Sequence, residues 1–351
     1  MRRPNPLPFA LALAALVALA PLGASADPRV GTCQIAPRAR CSGAVMTEAN
    51  LVNADLGAAE LVGVDLARAQ LAGANLAGAD LTGANLISAD LTGANLTGAN
   101  LTGAMLQDAR LSGARLDKAS LVGANLVRAD LTGAHLAGAR LLGARLTAAR
   151  LGKADLAAAR LDGADLSDAN LAEATAAHAS FMGANLERAN LTALDGPGAD
   201  LSFVRAPRVV LKSANLRKAN LTRAVLTDAN LSAAVLIDAR ADGADFTSAS
   251  AAGANASGAS FADANLTSAD WKDATLDKAR FTRARLNVVV FDRASLQKAD
   301  LTGAQLENTT FEGANLRGAR LKDATMVDTY WGTAICPDGT EARILGSCPA
   351  L

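Results

Sequence analysis

Residues 89–104 read ADLTGANLTGANLTGA, one five-residue phrase passed through three times. With the large apolar position called i, the same frame runs from Ala44 to Trp331 through 58 consecutive repeats. Leu fills position i in 42 of the 58, and Ala fills i−2 in 51. A period of five matches neither the 3.6 of a helix nor the 2 of a free strand. Self-similarity this strict specifies a stack of short units, each burying its apolar face against the next.

Within one repeat, i−2 and i are two residues apart. An extended backbone therefore sends the Ala and the Leu to one side and the intervening Asp, Asn or Arg to the other. The two remaining residues, commonly Thr-Gly or Ser-Gly, must turn the chain. Glycine at i+2, as at Gly83, Gly93, Gly98 and Gly103, suits such a corner because it accepts turn dihedrals at little steric cost. Four corners would close a coil of about twenty residues, although the period alone does not fix the number four.

The A(D/N)LXX phrase resembles the pentapeptide-repeat family over about four-fifths of the chain. The resemblance implies an all-β fold, a right-handed quadrilateral β-helix filled by Leu, Phe and Ala, with short non-repeat caps. At 4.8 Å between coils, residues 44–333 would make about 14 coils and a rod roughly 70 Å long. Family members serve diverse roles, so architecture is better defined by the resemblance than function is.

The N-terminus reads as a secretory signal peptide over 1–26. Arg2 and Arg3 precede an apolar run from Leu7 to Ala20, and Ala24-Ser25-Ala26 supplies a small-x-small cleavage site before Asp27. The run is shorter than the roughly 20 residues that span a bilayer, so the mature form is expected to have no membrane span. An uncleaved anchor is the rival reading. The expected location is the periplasm or the exterior.

All four cysteines lie outside the repeats: Cys33 and Cys41 in 27–43, Cys336 and Cys348 in 334–351. An even count in an exported chain reads as disulfides, with free thiols as the alternative. A rod between the two pairs favours Cys33–Cys41 with Cys336–Cys348. These segments would cap the open strand edges that otherwise template end-to-end association.

Charge balances, with 34 basic and 34 acidic residues, yet it is banded. Residues 41–100 carry −5, 105–160 carry +5, 161–200 carry −6 and 201–230 carry +5. At twenty residues per coil, Asp90, Arg110, Asp130 and Arg150 fall in one outer column, Glu60 lies over Asp80, and Asn75 over Asn95. Trp271, Phe291, Phe311 and Trp331 should stack on one inner face, and Phe261 with Phe281 on another. One coil is thin: Ala241, Ala251 and Ala256 leave only Phe246 large, so the tube either narrows there or keeps a small void. Between Thr192 and Val210 the phrase decays. Gly196 and Ala206 stand where Leu belongs, and Pro197 and Pro207 remove backbone donors.

No catalytic constellation can be assembled. His135 and His178 are both outward, the repeated glycines are corners rather than a phosphate loop, and stacked carboxylates such as Glu60 and Asp80 sit on a flat exterior. No cofactor or metal is expected. The basic band at 105–160 has no aromatic platform for nucleic acid. A long acidic rod mimicking duplex DNA, as in family members that shield DNA gyrase, fits poorly with a neutral chain carrying a signal peptide. The expectation is a non-enzymatic exported scaffold, monomer or weak dimer, that binds a protein or an envelope polymer through its outer faces. A specific interaction module is the second reading. Its candidate surface is Phe203, Arg205, Arg208 and Val210 at the decayed segment, with Arg110, Arg140, Arg145 and Arg150 in the basic band.

Overall fold

A computed structural model describes residues 29–30, 32–342 and 348; the expected signal peptide and its cleavage point lie outside the described residues. From Arg40↔Glu60 to Asn315↔Ile335, every i−1 residue forms a parallel bridge with the residue twenty positions on. Four five-residue sides therefore close each coil. We number the outer faces by their inward Leu: face I holds Leu61 and Leu81, face II Leu66 and Leu86, face III Leu71 and Leu91, face IV Leu76 and Leu96.

The backbone explains the phrase. The Leu96 N–H donates to the Arg115 carbonyl one coil on at 2.7 Å, the Gly98 N–H to the Asp117 carbonyl at 2.9 Å, and the Asn95 N–H back to Ala74 at 2.9 Å. The corner closes through Ala99 N–H to the Leu96 carbonyl, and position i+2 sits at positive φ, 65° at Gly98. Positive φ at the third residue alone is the type II pattern, for which glycine is preferred. The i−1 residue stabilises that corner. Asp90 Oδ1 accepts both the Thr92 N–H at 3.1 Å and the Thr92 hydroxyl at 2.5 Å, while Asn95 Nδ2 donates to Asn75 Oδ1 one coil below.

Inside, position i from Met46 to Leu321 and position i−2 from Ala59 to Ala319 are buried. Where the phrase decays the coil nonetheless continues, with Gly196 and Ala206 donating to Asn215 and Val225 at 2.8 Å. Volume is exchanged between positions: Leu194 at i−2 places its Cδ2 3.3 Å from where a Gly196 Cβ would lie. Val204 and Val209 likewise stand where Ala is the rule, and both are buried. Pro197 and Pro207 occupy i+1, whose N–H takes no part in the backbone-to-backbone bonds between coils. Their carbonyls still accept from His178 and Arg188 at 3.0 Å. The segment is thus a repacked stretch of regular tube.

The aromatic column differs from the expected one. Phe291, Phe311 and Trp331 do stack, at 5.3 and 4.9 Å, and Phe261 stacks on Phe281 at 5.1 Å. Trp271 instead turns edge-to-face toward Phe261 at 5.4 Å and Phe246 at 6.3 Å. The reason lies one coil below, where Ala241 and Ala251 leave room under Phe261 and Trp271. The three rings share the space that the thin coil gives up.

At the N-terminal end, β1 (Arg29–Val30) pairs antiparallel with β2 (Cys33–Gln34), and the Cys33–Cys41 disulfide joins β2 to the first coil. Met46 and Leu51 are buried there. At the other end, Cys336–Cys348 is bonded, Ile335 bridges Glu341 antiparallel, and Trp331 is covered. The inward frame fails at Met326, which is 40% exposed beside exposed Val327 and Tyr330. Among the described residues no further coil lies over that corner.

Candidate interaction surface

The eight arginines and apolar residues singled out from the sequence do not form one surface. Register places Arg140 and Phe203 on face I, Arg145, Arg205 and Arg208 on face II, and Arg110, Arg150 and Val210 on face III. Arg110 pairs with Asp90 at 3.3 Å and Arg150 with Asp130 at 3.8 Å, so the alternating column is satisfied two by two. Val210 is half-buried and contributes little to the exterior.

Phe203, Arg205 and Arg208 do adjoin, around a residue that the sequence reading overlooked. Glu187 receives Arg205, Arg188 at 2.5 Å and Arg208 at 3.0 Å. Arg188 also holds Asp168 through two hydrogen bonds of 2.7 Å. Three guanidiniums thus share two carboxylates, and one positive charge is left over. The hydrogen bond from Arg205, then the charges of Arg205, Arg188 and Arg208, hold the Glu187 carboxyl below its usual value. The signal was present in the register: separations of 18 and 21 residues from Glu187 to Arg205 and Arg208 bring their side chains to one corner.

Beside this cluster, Phe203 is 54% exposed, with the Arg223 guanidinium carbon 6.0 Å from its ring centroid. Its backbone lies at φ 58°. Every coil below it, from Gly43 to Gly183, has glycine at this place. A bulky residue in the left-handed region costs roughly 1–2 kcal/mol. Phe203→Gly is therefore expected to stabilise the fold by about 1 kcal/mol in denaturant melts, less whatever the ring's partial packing contributes. A loss of stability above that margin would show that the ring is held for packing.

Carboxylates at the corners show a common pattern. Bidentate hydrogen bonds from Arg128, Arg188, Arg283 and Arg293 hold Asp108, Asp168, Asp263 and Asp273 below the ordinary range. At Asp90 burial pushes the carboxyl up, but the Thr92 hydroxyl and N–H and the Arg110 charge outweigh it. Each folded value is lower than the unfolded one. The unfolded chain then binds more protons as pH falls, so this stabilisation is full above the unfolded value of about 4 and is lost below it. The melting temperature is expected to stay flat from about pH 8 to 5 and to fall below about pH 4. A melting temperature that rises on acidification would contradict these pairings.

Among the described residues no three His, Cys, Asp or Glu side chains are grouped to hold a metal ion, and no helix is long and apolar enough to cross a membrane. His135 lies on face IV between Arg115 and Asp155, and His178 is exposed against Gly198.

Comparison with known proteins agrees with the geometry. A family model described as "Pentapeptide repeats (8 copies)" matches segments that together cover residues 34–195, 198–287 and 290–328. No curated protein matches the chain. Among solved structures, HetL, a pentapeptide repeat protein involved in heterocyst differentiation regulation from Nostoc sp. strain PCC 7120, is 33% identical, covering 72% of this chain and 91% of HetL, with a TM-score of 0.26. A pentapeptide repeat protein of the Arabidopsis thaliana thylakoid lumen is 36% identical over 28% of this chain and 66% of its own, with a TM-score of 0.19. A trypsin-treated form of QnrB1, a plasmid-mediated fluoroquinolone resistance protein, is 21% identical over 44% and 88%, with a TM-score of 0.25. The family match over most of the chain, together with the twenty-residue coil, leads to one assignment: this chain belongs to the pentapeptide repeat family, whose fold is the right-handed quadrilateral β-helix.

Proposed function

We propose that the protein is exported and acts without catalysis, as a rigid rod whose outer faces bind a protein or an envelope polymer. The observation that carries this reading is the filled tube. Side chains of the 58 repeats point either into a packed interior or onto flat faces, where polar groups repeat at roughly 4.8 Å. Flat, exposed faces give no desolvated cleft in which a carboxylate or histidine could be tuned for proton transfer. The two disulfides support an oxidising location, and the terminal segments that carry them act as caps on the strand edges.

Cell fractionation with crosslinking of the mature form tests the proposal. The expected result is a chain beginning near Asp27 in the envelope or medium, crosslinked to a partner. A full-length chain in the cytosol, or turnover of an envelope substrate by the purified protein, would overturn it.

The strained, exposed Phe203 favours a second, narrower reading, in which the corner formed by Phe203, Arg205 and Arg208 captures one specific protein. Phe203→Ala should then abolish that capture while leaving the fold intact. Unchanged capture removes the reading.

A further inference from the structure

Face I carries a charge pattern unlike the others. Its outer ladder runs Glu60, Asp80, Asn100, Ser120, Arg140, Arg160, each bridged to the next. Like charge therefore lies over like charge at Glu60–Asp80 and at Arg140–Arg160, an arrangement that destabilises a strand pair, while Arg40 continues the ladder below Glu60 and Ser180 above Arg160. Face III shows the contrast: Asp90, Arg110, Asp130 and Arg150 alternate and form ion pairs within the chain. On face I, Glu60 has Arg40 at 3.5 Å and Arg160 has Asp162 at 2.9 Å. Asp80 is held by Thr82 and Asn100. Arg140 makes no side-chain hydrogen bond or ion pair among the described residues.

The same face is bare along one edge. At i+2 it has glycine in eight successive coils, Gly43 to Gly183, all at positive φ. A Cβ added at any of them would meet nothing within 4 Å. The strip spans seven coil steps, about 34 Å. Beside the central glycines stand half-buried Thr82, Thr102, Val122 and Leu142, with exposed Val62 and Met182 and the Arg160-paired Asp162 toward the ends, giving a partly apolar surface. Phe203 ends the strip.

We infer that two copies of this chain pack face I against face I, antiparallel, about a two-fold axis between Asn100 and Ser120. A two-fold interface is self-complementary, so each contact occurs twice. Reversing the ladder on itself sets Asp80 against Arg140, Glu60 against Arg160 and Asn100 against Ser120. The glycine strip is centred between Gly103 and Gly123, at nearly the same level, so the bare edge and the charge reversal share one centre. Four ion pairs then answer the like-charge stacking that each rod carries alone. The C-terminal halves, with Phe203 and the arginine cluster, extend beyond the overlap and stay free for other partners.

Sedimentation velocity on the purified mature chain tests the inference. A dimer is expected at about 50 mM salt and should weaken at about 500 mM, because rim pairs are screened. Arg140→Glu should raise the dimer dissociation constant about tenfold or more, and combining it with Asp80→Lys should recover most of that loss. Gly123→Asn probes shape independently of charge: asparagine tolerates the left-handed backbone, no neighbour clashes, and its side chain props the faces apart. It too should give monomer. Circular dichroism checks that each variant is folded. A wild-type chain that stays monomeric at low salt overturns the inference, as does a dimer that survives both Arg140→Glu and Gly123→Asn.

Discussion

Leu96→Lys is expected to cost more than about 4 kcal/mol, enough to melt the coils on either side. Leu96 is fully buried on face IV, two residues after inward Ala94, and its N–H bonds the next coil. The substitution loses the roughly 1.5–3 kcal/mol of burying a leucine and forces an ammonium into a dry tube with no partner. A solenoid's units contact only their neighbours, so the damage should spread outward from that coil. Thr97→Lys is the control. Thr97, next to Leu96 in sequence, is half-buried at the corner, and its buried hydroxyl has no hydrogen-bond partner. That change should fall within about 0.5 kcal/mol. Urea unfolding of the two variants distinguishes inside from outside, and equal losses would contradict the assignment.

Phe246→Ala should be the most damaging truncation of the interior, at about 3–5 kcal/mol. In a regular coil a missing leucine leaves three other large side chains. Here Ala241, Ala251 and Ala256 are already small, and Phe246 meets Phe261 at 5.7 Å and Trp271 at 6.3 Å from the coil above. Removing it leaves a cavity that neither alanines nor stacked rings can fill. Denaturant midpoints measure the loss, and hydrogen exchange should show faster opening of the amides between 241 and 261. A cost below about 1 kcal/mol would mean that the tube narrows around the thin coil without needing the ring.

The inward and outward sides of this rod were legible from the five-residue phrase, because spacing of two in an extended chain decides the side. Coil size was legible only through the family resemblance, since nothing in a period of five counts corners. What escaped the sequence reading depends on neighbours twenty residues away. Glu187 looks like any outward acid until Arg205 and Arg208 are laid over it. The i−1 Asp and Asn look like solvated polar residues, yet their oxygens hold the next corner's N–H. Gly196 and the two prolines look like a break, but Leu194 supplies the lost volume, and position i+1 donates to no backbone carbonyl of a neighbouring coil. Trp271 departs from its column because ring orientation follows the space below it, and spacing alone does not record that space. For the candidate surface, exposure of Phe203 and the shared column of Arg110 and Arg150 were legible, whereas the strain at Phe203 and the gathering of three arginines around Glu187 were not.

The twenty-residue register underlies the faces, the cluster and the dimer alike. Paired cysteines on the outer ladder test it directly: Asn75→Cys with Asn95→Cys, against Asn75→Cys with Asp90→Cys. Bridged residues of adjacent coils fall within the roughly 4.4–6.8 Å between Cα atoms that a disulfide needs, and residues on neighbouring faces do not. Under mild oxidation, mass spectrometry should find the 75–95 link formed nearly completely and the 75–90 link absent. A 75–90 link, or no link at 75–95 in a folded chain, would contradict the four-sided coil.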